Sequence, residues 1–304
     1  MSARILSGEA IANAIKAETT AIAGELIKKR GRAPCLTVVA SADESAKIYA
    51  EKIKRDAAVC HINVEVAPLD INISHADAMQ QIRAIVNNPA VDAVLLQTPL
   101  PKNVNAVAAA DLIPIEKDVD GASISSAGAA ALGRAEGYFP ATAAAVLEIL
   151  QRSNINISGA RAVVLGRSAV VGRPAAFGLL TLHATVTIAH SKTTHIEKIV
   201  READILVVAI GKVAFVVPDW IRPNTTVMDV GIHRVTDAHL VKTWFANDPA
   251  RVAAFDKKGS AIVGDCDPRI VEIAGAMTPV PGGVGPVTSA ILLKQAAIAA
   301  NRLS

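Results

Sequence analysis

Between residues 161 and 182 a strand, a glycine turn and a helix follow one another, and no other run constrains the fold as much. Arg161-Ala162-Val163-Val164-Leu165 is a short apolar run of the kind that forms a buried strand. Gly166-Arg167-Ser168-Ala169-Val170-Val171-Gly172-Arg173-Pro174 follows it, and Ala175 to Leu182 reads as a helix. Such a unit turns unpaired N–H groups and the positive end of a helix dipole toward a phosphate. The spacing is Gly166-x-Ser168-x-x-x-Gly172, with serine at the second position of the usual GxGxxG and the last glycine one residue late. A glycine turn of this kind is often purely structural, so its companions decide the reading.

Three companions point to a nucleotide. His190-Ser191-Lys192-Thr193 closes the next strand, where the adenosine ribose lies in doubly wound folds, and it carries a hydroxyl and an ammonium rather than an acid. An acid there would bind a free 2′-hydroxyl, whereas cations and hydroxyls accept a 2′-phosphate. Arg167 supplies a second cation. The next two strands end in Val208-Ala209-Ile210-Gly211-Lys212 and Asp229-Val230-Gly231-Ile232-His233, small enough to leave room for a nicotinamide. The reading is NADP rather than NAD.

The rest of the chain repeats the strand–helix rhythm. Ser7 to Lys29 has helical spacing and stops at Gly31; Leu36 to Ala40 reads as a strand, Ala46 to Val59 as a helix, Ile62 to Leu69 as a strand, Ser74 to Val86 as a helix and Ala90 to Leu96 as a buried strand. A second series has strands at Ala162–Leu165, Thr185–Ala189, Ile205–Ala209, Thr226–Val230 and Ala261–Val263. Alternation of this kind predicts parallel sheets with ligand at the carboxyl ends of the strands. The expected architecture is α/β with two domains: 1–122 plus 286–304, a connecting helix over 123–150 with a looser stretch around Gly133 to Pro140, and a Rossmann-like domain over 151–285. The last helix, Thr288 to Ala300, is expected to pack back on the first domain.

Composition narrows the function. No apolar run reaches the roughly 18 residues of a membrane helix, and Met1-Ser2-Ala3-Arg4-Ile5 lacks a leader's apolar core. Cys35, Cys60 and Cys266 are odd in number and far apart, which fits a reducing, cytoplasmic setting better than a disulfide framework. A net charge of +3 and 3% aromatics argue against nucleic acid as a partner. The histidine and acid spacings form no metal motif.

A second stretch, Pro279-Val280-Pro281-Gly282-Gly283-Val284-Gly285-Pro286-Val287-Thr288, has too many special-backbone residues for an ordinary strand or helix and reads as chain shaped around a ligand. With it in place the whole chain resembles the bifunctional methylenetetrahydrofolate dehydrogenase/methenyltetrahydrofolate cyclohydrolase (FolD) family. The resemblance rests on Ser45-Ala46-Lys47-Ile48-Tyr49, Leu96-Gln97-Thr98-Pro99-Leu100-Pro101, Lys117-Asp118-Val119-Asp120-Gly121, Gly166 to Pro174, His190-Ser191, Asp229-Val230-Gly231, Gly264-Asp265 and Pro279 to Thr288, in family order. It implies that Tyr49 stacks on the pterin of a tetrahydrofolate one-carbon derivative, that Gln97 belongs to the catalytic cluster, and that Asp120 binds the pterin's amidine-like edge. It implies further that Pro281, Gly282 and Gly283 line the folate pocket facing the cofactor, and that Gly166, Arg167, Ser168, Ser191 and Ile232 hold NADP. A homodimer built through the cofactor domain is also implied.

One departure bears on chemistry. The family pattern is Tyr-x-x-x-Lys, its lysine being the acid/base of the cyclohydrolase, but four residues after Tyr49 stands Ile53. At about 100° per residue, Lys52 lies near the face of Tyr49 and Lys54 points away. Lys52 is thus either a substitute amine or a solvated surface lysine, and Lys54 a solvated one. Hydride transfer depends mostly on positioning, whereas hydrolysis needs a water activated and a nitrogen protonated. Three readings stay open: a dehydrogenase with weak or absent cyclohydrolase, a bifunctional enzyme using Lys52, and a non-catalytic nucleotide-binding homologue. Other departures are Thr98, Ala122-Ser123, Ser126 and Ala141-Thr142-Ala143, all expected near the folate pocket. His233 is read as positional, and Asp204, Asp229 and Asp265 as acids that satisfy backbone N–H groups.

Overall fold

A computed structural model describes residues 2–303. In chain order its elements are β1 (Arg4–Ile5), α1 (Gly8–Arg30), β2 (Cys35–Ser41), α2 (Glu44–Val59), β3 (Asn63–Leu69), α3 (His75–Val86), β4 (Ala93–Gln97), α4 (Ala106–Ala110), α5 (Ile124–Ala131), α6 (Ala141–Arg152), β5 (Arg161–Leu165), α7 (Gly172–Thr181), β6 (Thr185–Ala189), α8 (Ile196–Arg201), β7 (Ile205–Val208), β8 (Thr226–Asp229), β9 (His233–Val235), α9 (Ala238–Trp244), α10 (Pro249–Lys258), β10 (Ala261–Val263), β11 (Ala276–Met277) and α11 (Val284–Arg302). They form two compact units: Ala12–Ala144 with the C-terminal segment from Thr288, and Ala145–Val287 with the start of the chain up to Ile11.

The first unit carries a three-stranded parallel sheet in the order β3-β2-β4. Every residue of β2 is buried, as expected for the central strand of a sheet covered on both faces. Buried Asp92, just before β4, holds this sheet's start: it receives Arg30 and Arg32 at 2.7–2.8 Å and the Cys35 N–H at 2.9 Å. The C-terminal part of α11 belongs to this unit, where Lys294 pairs with Glu18 of α1 at 2.9 Å. The expected packing of the last helix on the first domain is therefore met.

The second unit carries a six-stranded parallel sheet, β1-β11-β8-β7-β5-β6. Its core packs Leu165, Leu206, Val208, Val227 and Ile270, all buried. Two expectations change here. Ala261–Val263, read as the fifth strand of the parallel series, instead pairs antiparallel with His233–Val235 in a separate two-stranded sheet. The sheet is completed by β1 and β11, two residues each and too short to show any periodicity, so the chain's first residues join this sheet rather than the residues that follow them. Segment 123–150 is α5 and α6 with an irregular stretch between them, where the looser stretch around Gly133 to Pro140 is expected. Helix α11 begins at Val284, inside the Pro-Gly segment, with Pro286 in its first turn where no N–H is needed.

Candidate active site and cofactor turn

Tyr49, Gln97 and Asp120, from α2, β4 and the loop after Asp118, line one cavity of about 730 Å³ in the first unit. Asp43 caps α2, its Oδ1 accepting the Ala46 N–H at 2.9 Å, and so fixes the helix that carries Tyr49. Tyr49 is 43% exposed. Gly121 has φ +59°, and a Cβ there would overlap the Tyr138 carbonyl oxygen, so only glycine lets the chain turn after Asp120.

Asp120 accepts the Ala141 N–H at 3.2 Å through Oδ1, which places its carboxyl at the start of α6. Burial pushes this carboxyl up to about 6, only partly countered by the Ala141 hydrogen bond. Gln97 donates from Nε2 to the Ala46 carbonyl at 3.1 Å, while its Oε1 is buried with no partner. A buried acceptor left unpaired costs about 1–3 kcal/mol, so this atom is built to receive a donor.

Ile53 is 5% exposed and forms part of the same wall. Lys52 is not among the lining residues: its Nζ is held at 3.2 Å by Asp56 and at 3.1 Å by Ser289. Lys54 is an exposed lysine 3.8 Å from Glu51. Among the described residues, the cavity's lining holds three carboxylates, Asp43, Asp56 and Asp120, and no lysine, arginine or histidine. Asp56 is a lining residue that the sequence reading missed. Seven residues from Tyr49, it returns to the same helix face, and that spacing was the available signal. Burial pulls its carboxyl up, but Lys52 and Lys16 more than offset this and leave it below the ordinary value.

Thr98, Ala141 and Thr142 line the cavity, whereas Ala122, Ser123, Ser126 and Ala143 do not. Ser123 instead caps α5, its Oγ accepting the Ser126 N–H at 3.2 Å. Pro281, Gly282 and Gly283 lie in the loop before α11, in the second unit.

The cofactor turn is built from backbone. Gly166 has φ +131°, and a Cβ on it would overlap the Ala209 carbonyl oxygen, so glycine lets the ends of β5 and β7 meet. Ser168 Oγ accepts the Val171 and Gly172 N–H groups, both at 3.2 Å, shaping the entry to α7. Arg167 and Ser168 are exposed. The N–H groups of Arg167, Ser168, Ala169 and Val170 have no acceptor among the described residues. Ser191 and Lys192 are exposed after β6, on a turn closed by the Lys192 N–H donating to His190 Nδ1 at 3.2 Å. Ile232, after β8, is 64% exposed. Free amides at a helix start and two exposed cations, with no acid in the turn after β6, fit a nucleotide that carries an extra phosphate.

The acids at the strand ends do satisfy backbone. Asp229 accepts from Gly231, Asp265 and Cys266 at 2.9–3.0 Å, and burial raises it to about 6. Asp265 Oδ2 accepts the Ile210 and Gly211 N–H groups, while Oδ1 meets His233 Nε2 at 2.6 Å. His61, His183 and His195 occupy left-handed backbone positions at turns, which accounts for three histidines without chemistry.

An acid-lined cavity on one α/β unit and a phosphate-accepting turn on a parallel sheet are the equipment of a nucleotide-dependent α/β enzyme. Residues 6–120 match the model for the tetrahydrofolate dehydrogenase/cyclohydrolase catalytic domain, and residues 140–304 the model for that family's NAD(P)-binding domain. The chain belongs to the tetrahydrofolate dehydrogenase/cyclohydrolase family. It is 42% identical over 302 residues to the bifunctional protein FolD of Koribacter versatilis, covering 99% of this chain and 98% of that protein. The bifunctional FolD of Campylobacter jejuni superposes with a TM-score of 0.88 at 31% identity over 99% of each chain. A Trypanosoma brucei methylenetetrahydrofolate dehydrogenase-cyclohydrolase, solved with NADP and an inhibitor, gives 0.86 at 33% identity over 99% of this chain and 98% of that one. Among the described residues no helix is long and apolar enough to cross a membrane.

Proposed function

We propose that this chain oxidises 5,10-methylenetetrahydrofolate to 5,10-methenyltetrahydrofolate with NADP, and that its cyclohydrolase activity is weak or absent. The single observation that carries the second half is the buried Ile53 in the cavity wall, four residues after Tyr49, where the family pattern has its lysine.

The pterin enters the 730 Å³ cavity with its ring against Tyr49. Asp120 keeps Oδ2 available once Oδ1 has taken the Ala141 N–H, and mostly ionised above pH 6 it accepts the donors of the pterin's amidine-like edge. Gln97 Oε1 receives a donor from the substrate, which relieves its unpaired state. On the nucleotide side, Gly166, Arg167 and Ser168 hold the diphosphate, Ser191 with Lys192 and Arg167 the 2′-phosphate, and Ile232 borders the nicotinamide. Bound there, the nicotinamide supplies the hydride acceptor. Ring nitrogen electrons stabilise the cation that forms as hydride leaves, so the residues that hold the two rings do most of the work. Hydrolysis of the methenyl product calls for an acid/base pair instead. Lys52 Nζ reaches two lining groups, Asp56 and Ser289, and in this reading its ion pair with Asp56 and its bond to Ser289 keep it from acting as that acid/base.

Ile53→Lys tests this reading. It is expected to raise methenyl hydrolysis by ~10²–10⁴-fold, with hydride transfer changed far less. A wild-type hydrolysis rate already at that level, or no gain in a folded variant, would contradict it.

A further inference from the structure

The second unit holds a cavity of about 610 Å³ that shares no lining residue with the cavity around Tyr49, and Pro281 lies at its wall. Its outer wall comes from the excursion between β9 and β10. Antiparallel neighbours can be joined by two residues, yet here the link contains α9 and α10 with their own small core of Val241, Phe245 and Phe255. Pairing of β9 with β10 does not account for that much ordered chain.

What the excursion delivers to the cavity is an arginine and aromatic surface. Arg251, half-buried on α10, lies 4.0 Å over the Phe245 ring and donates from Nη2 to the Ile262 and Val280 carbonyls at 2.8 and 2.9 Å. Both Nη2 protons are thereby used, and Nη1 and Nε have no acceptor among the described residues. Three carboxylates also line the cavity, and each has partners of its own: Asp229 accepts the Gly231, Asp265 and Cys266 N–H groups, Asp248 caps α10 by accepting the Arg251 N–H at 3.1 Å, and Glu272 accepts Asn247 Nδ2 at 2.9 Å. Arg269 at the rim is paired with Asp267 at 2.6 Å. A desolvated guanidinium with no hydrogen-bonded carboxylate is costly, and burial draws the Arg251 charge below its ordinary pKa, with the Asp248 charge offsetting this only in part. An anion at its free edge would remove that cost. Trp244, beside it, offers a large apolar face.

We propose that this cavity is a second ligand site, for a small organic acid with an aromatic body, its carboxylate on the free edge of Arg251 and its ring against Trp244. The volume is that of ordinary small-molecule sites. Because Arg251 also holds the Val280 carbonyl, occupancy is transmitted to the loop that runs through Pro281 to Gly283.

The chain has two tryptophans, so Trp220→Phe leaves Trp244 as the sole reporter. The expected result is saturable quenching of Trp244 by 3-phenylpropanoate in the full-length protein, undiminished by saturating NADP. The neutral amide, 3-phenylpropanamide, is expected to bind at least about tenfold more weakly, the worth of one charge-assisted contact. Arg251→Gln is expected to weaken the acid by a similar factor and leave the amide unchanged. If that variant fails to fold, the acid–amide comparison in the Trp220→Phe protein decides. Equal affinity for acid and amide, absence of saturable quenching, or displacement by NADP would each overturn the proposal.

Discussion

The cofactor turn and the acid-lined cavity are held together by different kinds of atoms. At Gly166–Gly172 the work is done by backbone: a positive φ, a carbonyl too close for any Cβ, and amides left free at a helix start. In the cavity it is done by side chains, and there the proposed function turns on one position, Ile53, buried on α2. Backbone sites tolerate almost no substitution and keep their function visible. Side-chain sites can lose one activity while the fold and the companion activity persist.

The largest expected effect falls on the backbone side. Gly166→Ala puts a methyl into the Ala209 carbonyl at φ +131°, strain of about 1–3 kcal/mol before any shift. Calorimetry should show NADP affinity falling by about 100-fold while the folate cavity still binds substrate. Affinity within a few-fold of the wild type would break the comparison.

On the side-chain side the expected effect is a pH signature. Asp120 is raised by burial from 3.8 to about 6. A carboxyl whose folded pKa is raised favours the folded state fully below about pH 4, and that contribution is lost as pH rises to about 6, on the order of 3 kcal/mol. Asp229 behaves alike, while the lowered acids Asp92 and Asp56 act oppositely as pH falls. Denaturant melts from pH 4 to 7 should therefore show a smaller decline in Asp120→Asn than in wild type. Parallel curves would mean Asp120 is not held as described. Any residual hydrolysis should rise with pH through about 6 and lose that step in the same variant.

The smallest effect is expected at Lys52. Lys52→Met removes one exposed i,i+4 pair with Asp56, worth about 0.3–0.5 kcal/mol, and should leave methenyl hydrolysis unchanged. A tenfold drop would identify Lys52 as the source of the amine and restore the bifunctional reading.

The same division explains what the sequence disclosed. The strand–turn–helix from Arg161 and the long helices were legible because glycine and apolar periodicity report backbone directly. β1 and β11 were not, because two residues carry no period, and their place depends on a sheet assembled from distant chain. Ala261–Val263 has the composition of a core strand, and only its partner His233–Val235 makes it antiparallel. In the cavity, Tyr49, Gln97 and Asp120 were legible through their motifs. Ser289 arrives from the far end of the chain, so no local pattern announces it. Ser123 and Ser126 were misplaced at the pocket because a helix cap and a pocket wall draw on the same small polar residues.

The most direct test gives the purified protein methylenetetrahydrofolate and NADP and follows NADPH and methenyltetrahydrofolate together by ultraviolet absorbance. The account expects NADPH to form with stoichiometric accumulation of the methenyl product, and methenyltetrahydrofolate supplied alone to decay no faster than in buffer. NADPH formation with the methenyl product consumed as fast as it appears would show that hydrolysis proceeds without a lysine at position 53, and would contradict the central claim.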